Sequence, residues 1–141
     1  MKNLFCTVAL ILSATISFAQ TSESLKKRIQ EHYADIHAGN IDRVMSQHLE
    51  DISIFLYNGS ALLESGWEET SKGMGSNIEF PKLNVTMKHF SSQIYDNVGI
   101  ATFYLDGSYE GDYGLWRVTA VWVWKNGEWK EAHHHESRLK N

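Results

Sequence analysis

The chain has 141 residues, a single cysteine, a single proline and a formal net charge of −4. That balance excludes the basic stripe a nucleic-acid groove requires, and it disfavours an anionic membrane surface. One cysteine leaves no intrachain disulfide, while five tryptophans, six tyrosines and six phenylalanines supply either an aromatic core or the walls of a cavity.

The first residues read as a targeting signal. Lys2 precedes an apolar run from Leu4 to Phe18, and Ser17-Phe18-Ala19 is a small-x-small cleavage site ahead of Gln20. The run is shorter than the roughly 20 residues of a spanning helix. Cys6 lies inside it and not directly after the cleavage site, so no lipid or membrane anchor is expected. The expectation is a signal peptide over 1–19, one domain over 20–141, and a periplasmic or secreted location. A mature chain of about 120 residues makes one domain.

After the signal, Leu25, Ile29, Tyr33 and Ile36 recur at helical spacing behind a cap at Ser22 or Ser24. Gly39 ends that helix, and Asn40 caps a short second one reaching about His48. Residues 52–57 are β-branched and aromatic, and Asn58-Gly59 turns them back into residues 61–63. Ser65 opens a third helix with Trp67, Ser71, Met74 and Ile78 along one side. Pro81 then opens a meander. Leu83, Val85 and Met87 alternate, and His89 follows in the same phase, although the adjacent Phe90 allows a bulge there. Turns at Asp96-Asn97, around Gly111 and Gly114, and at Asn126-Gly127 separate four antiparallel strands of roughly ten residues each. Helices followed by a long sheet give an α+β domain. The helices can cover one face only. Val118, Ala120, Trp122 and Trp124 are assigned to the other, and an apolar free face predicts a homodimer.

The last strand carries the richest chemistry. With period two, Trp129, Glu131, His133, His135 and Ser137 share one face, and His134 points the other way. Imidazoles at i and i+2 reach one centre. They suit a ligand's polar group, a general base tuned by a neighbour, or a metal with Glu131 as third ligand. A hydrogen-bonded polar patch with no ligand is the plain alternative. Trp67 and Trp129 read as core. No Gly-rich phosphate loop, nucleophile-elbow serine or mature cysteine is present, so neither covalent catalysis nor a nucleotide cofactor is expected. No cofactor is predicted, and the metal is the least favoured reading of the histidines.

Several motifs together resemble the nuclear transport factor 2-like superfamily, in particular its SnoaL-like branch and the association domain of calcium/calmodulin-dependent kinase. They are Ala38-Gly39-Asn40-Ile41-Asp42, Ile100-Ala101, Thr119-x-x-Trp122, Asn126-Gly127-x-Trp129 and His133-x-His135-x-Ser137. The resemblance spans the whole mature chain. It implies a curved antiparallel sheet forming a cone-shaped cavity covered by N-terminal helices, a fold also called cystatin-like. It also implies that the Arg117 and Thr119 face of the fifth strand lines the cavity. There Arg117 would clamp an anion or pair with Glu131. Tyr33 and Tyr104 would face each other across the cavity as oxyanion-type donors or as plain core aromatics. Two positions depart from the pattern. The cavity arginine of kinase association domains falls at Tyr104, and Glu131 stands where an aliphatic residue is usual.

The combined expectation is an exported, homodimeric domain that binds a small organic molecule, without nucleic acid or membrane partners. Its expected ligand-binding residues are Tyr33, His89, Tyr104, Arg117, Thr119, His133, His135 and Ser137. The alternative enzyme is a cofactor-free isomerase or dehydratase with His133, His135 or Glu131 as catalytic candidates. A purely oligomerising domain is the third reading.

Overall fold

Thr21 caps the first helix by accepting the Ser24 amide at 3.1 Å, while the Thr21 amide donates back to Ser24 Oγ at 3.1 Å. The capping residue therefore lies one position ahead of the expected serines, with Ser24 completing the reciprocal box. The structure is a computed structural model that describes residues 20–56, 61–62 and 82–139. The expected signal segment, the Asn58-Gly59 turn, Trp67, Pro81 and the helix read from Ser65 lie outside the described residues.

Helix α1 runs Ser22–Ala38 and ends where Gly39 turns left-handed, as its sequence predicts. Helix α2 runs Ile41–Ser46, and Asn40 precedes it without a side-chain cap. Asn40 Nδ2 instead donates to Asp35 Oδ1 at 2.9 Å and ties the two helices together. Among the described residues six strands follow: β1 (His48–Phe55), β2 (Ala61–Leu62), β3 (Leu83–Tyr95), β4 (Val98–Tyr109), β5 (Asp112–Lys125) and β6 (Glu128–Arg138). They form one curved sheet in the order β2-β1-β6-β5-β4-β3. The meander β3 to β6 is antiparallel as expected, and β1 joins its far side parallel to β6.

One face of the sheet carries the core. Leu83 on β3, Ala101, Phe103 and Leu105 on β4, and Trp116, Val118, Ala120 and Trp122 on β5 are buried together with Leu25 and Ile29 of α1. The helix is held by Trp129 of β6, whose Nε1 donates to Ser24 Oγ at 3.0 Å and whose carbonyl accepts from Arg28 Nε at 3.2 Å. Arg28 also bonds Glu128 at 2.9 Å. This inner face overturns the assignment of Val118, Ala120, Trp122 and Trp124 to a dimer surface. Trp122 is fully buried, and Trp124 packs edge-on against Trp129 at 5.3 Å between ring centres. The physical reason is burial: the phase containing two tryptophans and a valine removes far more apolar surface under the helix than Arg117 and Thr119 could.

Two irregularities set the phase elsewhere. In β3, Lys88 pairs with Tyr104 but Ser91 pairs with Thr102, so one extra residue enters near His89, which adopts a left-handed φ of 50°. In β6, Glu131 pairs with Trp122 but His133 pairs with Val121, which leaves Ala132 as an extra residue.

Gly107 shows how tightly β3 and β4 approach. A Cβ there would overlap the Asn84 carbonyl oxygen, and its φ of +152° is one that side-chain-bearing residues rarely adopt. Gly107→Ala should lower unfolding stability by about 1–3 kcal/mol. The reading is a lower urea midpoint at unchanged slope, and a midpoint equal to wild type would contradict the close approach.

Candidate functional site

The Ala132 bulge reorganises the face that sequence periodicity described. Before the bulge, Trp129 and Glu131 face inward, as expected. After it, His134 and Glu136 take the inner positions, with 8% and 4% exposure, and His133, His135 and Ser137 turn outward. The expectation for His133 and His135 is therefore corrected: one added residue flips every later side chain. His133 hydrogen-bonds Ser53 at 2.8 Å, and both imidazoles lie against the Phe55 ring. Burial and the neighbouring His134 and His135 hold the His133 imidazole below its ordinary pKa.

The other outward residues follow from the β4–β5 register. Tyr104 pairs with Arg117 and Thr102 with Thr119 on the exposed side, opposite the Phe103–Val118 and Leu105–Trp116 pairs. His89 meets Tyr104 edge-on at 5.9 Å on that same side. Arg117, Thr119, Tyr104 and His89 thus stand away from α1, and Arg117 cannot reach Glu131 through the sheet. Of the expected ligand-binding set, Tyr33 alone faces the core side.

A different group converges on the inner face. Glu131, 2% exposed, lies at its centre. Its Oε1 accepts from His134 Nδ1 at 3.0 Å, and its Oε2 lies 3.3 Å from His48 Nε2 and 3.8 Å from His32 Nε2. The far nitrogen of His134 lies 3.5 Å from Glu136 Oε2, which also accepts the Tyr109 hydroxyl at 2.8 Å. On the helix side, His32 Nδ1 bonds Gln47 Oε1 at 2.7 Å, and Gln47 Nε2 donates to Asp35 Oδ2 at 2.8 Å. Arg43 Nε closes the chain on Asp35 at 3.1 Å. One connected polar array thus runs from Arg43 to Tyr109 through the middle of the domain.

Each member is placed by the backbone. His32 and Asp35 continue the buried stripe of Leu25 and Ile29, at i+7 and i+10 from Leu25. His48 pairs with Glu131 across the parallel β1–β6 ladder, and the Glu131 amide donates to the Gln47 carbonyl at 2.8 Å. Sequence reasoning missed His32, Asp35, Gln47, His48, Tyr109, His134 and Glu136. The helical spacing from Ile29 to His32 was the available signal.

The electrostatics follow from burial and pairing. Burial opposes the His134 charge, but Glu131 and Glu136 outweigh it and push its pKa up to about 10. Burial likewise opposes ionisation of Glu131, yet His134, His48 and His32 hold it well below the usual carboxylate range. For His32 burial wins over the pull of Glu131, and its pKa falls to about 4. Burial resists the charge on Asp35, and bonds from Asn40, Gln47 and Arg43 overcome that. Burial, reinforced by Tyr109, Glu131 and Glu136, raises the Tyr33 hydroxyl well above its ordinary pKa.

Beside this array lies a cleft of about 340 Å³ between α1 and the β3–β4 hairpin. Tyr33, Ala34 and His37 line it from the helix, and Val85, Met87 and Leu105 from the sheet. Tyr33 belongs to the cleft wall, and its hydroxyl feels the carboxylates of the array.

The sequence and the fold match one known group. Residues 25–140 match the SnoaL-like domain family. The chain belongs to that family. Solved structures agree on the nuclear transport factor 2-like, cystatin-like architecture. A proposed dehydratase of the NTF2-like family from Streptomyces avermitilis shares 16% identity at a TM-score of 0.69, over 85% of this chain and 96% of that one. A proposed ketosteroid isomerase from Parabacteroides distasonis shares 19% identity at 0.64, over 92% and 93%. The CamKII hub homology domain of Chlamydomonas reinhardtii shares 19% identity at 0.65, over 84% and 98%. At such identities these similarities establish the fold. No match was found among curated protein sequences.

The pKa shifts give the SnoaL-like domain a pH optimum of stability. His134 is raised from its ordinary 6.5 to about 10, so its contribution is complete below pH 6.5 and is lost as pH rises towards 10. His32 is lowered from 6.5 to about 4, so stability falls as pH drops from 6.5 towards 4, where the unfolded ring binds a proton that the folded one refuses. The lowered Glu131 adds to the loss below its ordinary 4.5. Urea midpoints in metal-free buffer should peak near pH 6.5, and His134→Gln should flatten the alkaline limb. A wild-type midpoint still rising between pH 7 and 9 would contradict the buried imidazolium.

Proposed function

We propose that this SnoaL-like domain binds a small organic molecule in the cleft between α1 and the β3–β4 hairpin. Tyr33 carries the reading, because it is at once a wall of the cleft and a neighbour of the buried carboxylates. Apolar walls from Ala34, Val85, Met87 and Leu105 with a hydrogen-bonding end are the usual composition of a small-molecule site. The polar end is thus the Tyr33 hydroxyl, which feels Tyr109, Glu131 and Glu136, in place of the outward Arg117, His133 and His135. Loss of one such hydrogen bond costs about 0.5–1.5 kcal/mol. For a compound found by thermal-shift screening of small phenols, ketones and carboxylic acids, Tyr33→Phe should weaken binding up to about tenfold. Met87→Trp should fill the cleft and abolish binding, while Arg117→Ala and His135→Gln should leave it unchanged. The opposite pattern would move the site to the outer face.

An isomerase or dehydratase is the competing reading, supported by solved neighbours that carry those proposed activities. Its base would have to come from the inner-face array. Turnover of the bound compound, lost in Glu131→Gln while binding persists, selects the enzyme.

Export belongs to the same proposal, from Lys2, the apolar run and Ser17-Phe18-Ala19. Protein recovered from the envelope of its native host should begin at Gln20. Intact Met1 on cytoplasmic protein would refute export. Homodimerisation also stays a proposal, now through the outer face with Phe55 and Tyr104, since Trp122 and Trp124 are internal.

A further inference from the structure

We propose that His32, His48 and Glu131 form a binding site for one first-row divalent cation, with zinc the best match to the donor set. The three residues come from α1, the start of β1 and the middle of β6. Each offers one ligand atom, an imidazole nitrogen or a carboxylate oxygen, and these atoms all lie within 4.8 Å of one another. A tetrahedral zinc with bonds of about 2.0–2.2 Å sets its ligand atoms about 3.3–3.6 Å apart. The His48–Glu131 edge already measures 3.3 Å and the His32–Glu131 edge 3.8 Å. Small side-chain adjustments close the remainder.

The surrounding hydrogen bonds orient two of the three donors, His32 and Glu131, as a metal site requires. Asp35 is held by Asn40 and Arg43, and its Oδ2 accepts from Gln47 Nε2. That contact fixes the Gln47 amide, so Gln47 Oε1 is the atom facing His32 Nδ1. An amide oxygen only accepts, hence Nδ1 carries the proton and Nε2 is left to face the Glu131 carboxylate. A neutral ring in that tautomer would set a lone pair against a carboxylate oxygen. A cation between them satisfies both. The carboxylate–amide–imidazole relay is the outer support that metal-binding histidines use to fix tautomer and ring angle. On the other side, His134 Nδ1 holds Glu131 Oε1 and leaves Oε2 to the centre. Two histidines and one glutamate leave a fourth position open for water. The site stands apart from the outward His133 and His135, and it does not depend on whether the cleft takes an organic molecule.

The test is refolding from guanidinium chloride with and without Zn²⁺, so that burial does not bar entry, followed by desalting and metal analysis. Wild type should retain one zinc per chain and melt at higher temperature when loaded. Cobalt in its place should give the intense visible bands of four-coordination. Gln47→Leu keeps all three donors and should weaken affinity about 10–100-fold. His32→Gln and His48→Gln should weaken it further, and the double variant His133→Gln/His135→Gln should bind as wild type. Should the ligand variants fail to fold, Gln47→Leu and the wild-type cobalt spectrum decide. Refolded wild type without stoichiometric zinc would overturn the site. So would binding that survives Gln47→Leu unchanged but disappears with the outer pair.

Discussion

Glu131 and His134 lie three residues apart on one strand, and they meet because Ala132 is an extra residue between two registers. In an unbroken strand, residues three apart point to opposite faces. The bulge brings a carboxylate and an imidazole to the same side, 3.0 Å apart. Much of the inner face depends on that contact. It turns His133 and His135 to the surface, puts Glu136 beside Tyr109, and leaves the second Glu131 oxygen for His48 and His32.

A buried ionic array of this kind is not an economical way to stabilise a domain. Removing charges from water costs several kcal/mol each, and well-packed apolar residues often do as well. The larger apolar contribution comes from elsewhere: Leu25, Ile29 and the tryptophans at 116, 122 and 129 form a continuous apolar block over one part of the sheet. Helix α1 serves both regions. Its first half presents Leu25 and Ile29 to that block, and its second half presents His32 and Asp35 to the polar array. The array therefore specifies how α1, α2 and the β1–β6 edge fit together. Gln47 shows this, bonded by side chain to both His32 and Asp35 and by its carbonyl to the Glu131 amide.

Sequence patterns located the elements well where local chemistry decides them. Gly39 ended α1, Asn126-Gly127 closed the β5–β6 hairpin, and the alternation of Leu83, Val85 and Met87 described β3. The family resemblance also held across residues 25–140. The faces were less legible. On β5, period two defines two sets of residues but not which is inside. The tryptophan-bearing set belongs under α1, and the polar set was placed there instead. On β6, a bulge leaves no mark in a run such as Glu131-Ala-His-His-His-Glu136, where both registers look plausible by composition. On α1, the stripe from Leu25 continues into His32 and Asp35, and reading only its apolar members pointed to Tyr33 and Ile36. Buried polar residues are invisible to a search for hydrophobic period, because their burial depends on partners on other elements, as His32 depends on Gln47 and Glu131.

Three consecutive histidines thus do two different things. His133 and His135 lie on the outer face beside Phe55, and His134 between them is held by two glutamates in the interior. The inner array is short of positive charge. Glu131 and Glu136 share one imidazole, while burial keeps His32 neutral near pH 7. The Tyr109 hydroxyl eases this at Glu136. At Glu131 the described partners beyond His134 are the His48 and His32 rings. A low-dielectric pocket that holds a carboxylate beside a neutral imidazole favours whatever brings positive charge or a hydrogen-bond donor to it. That physical bias lies at this end of the domain, and not on the histidine-rich outer face.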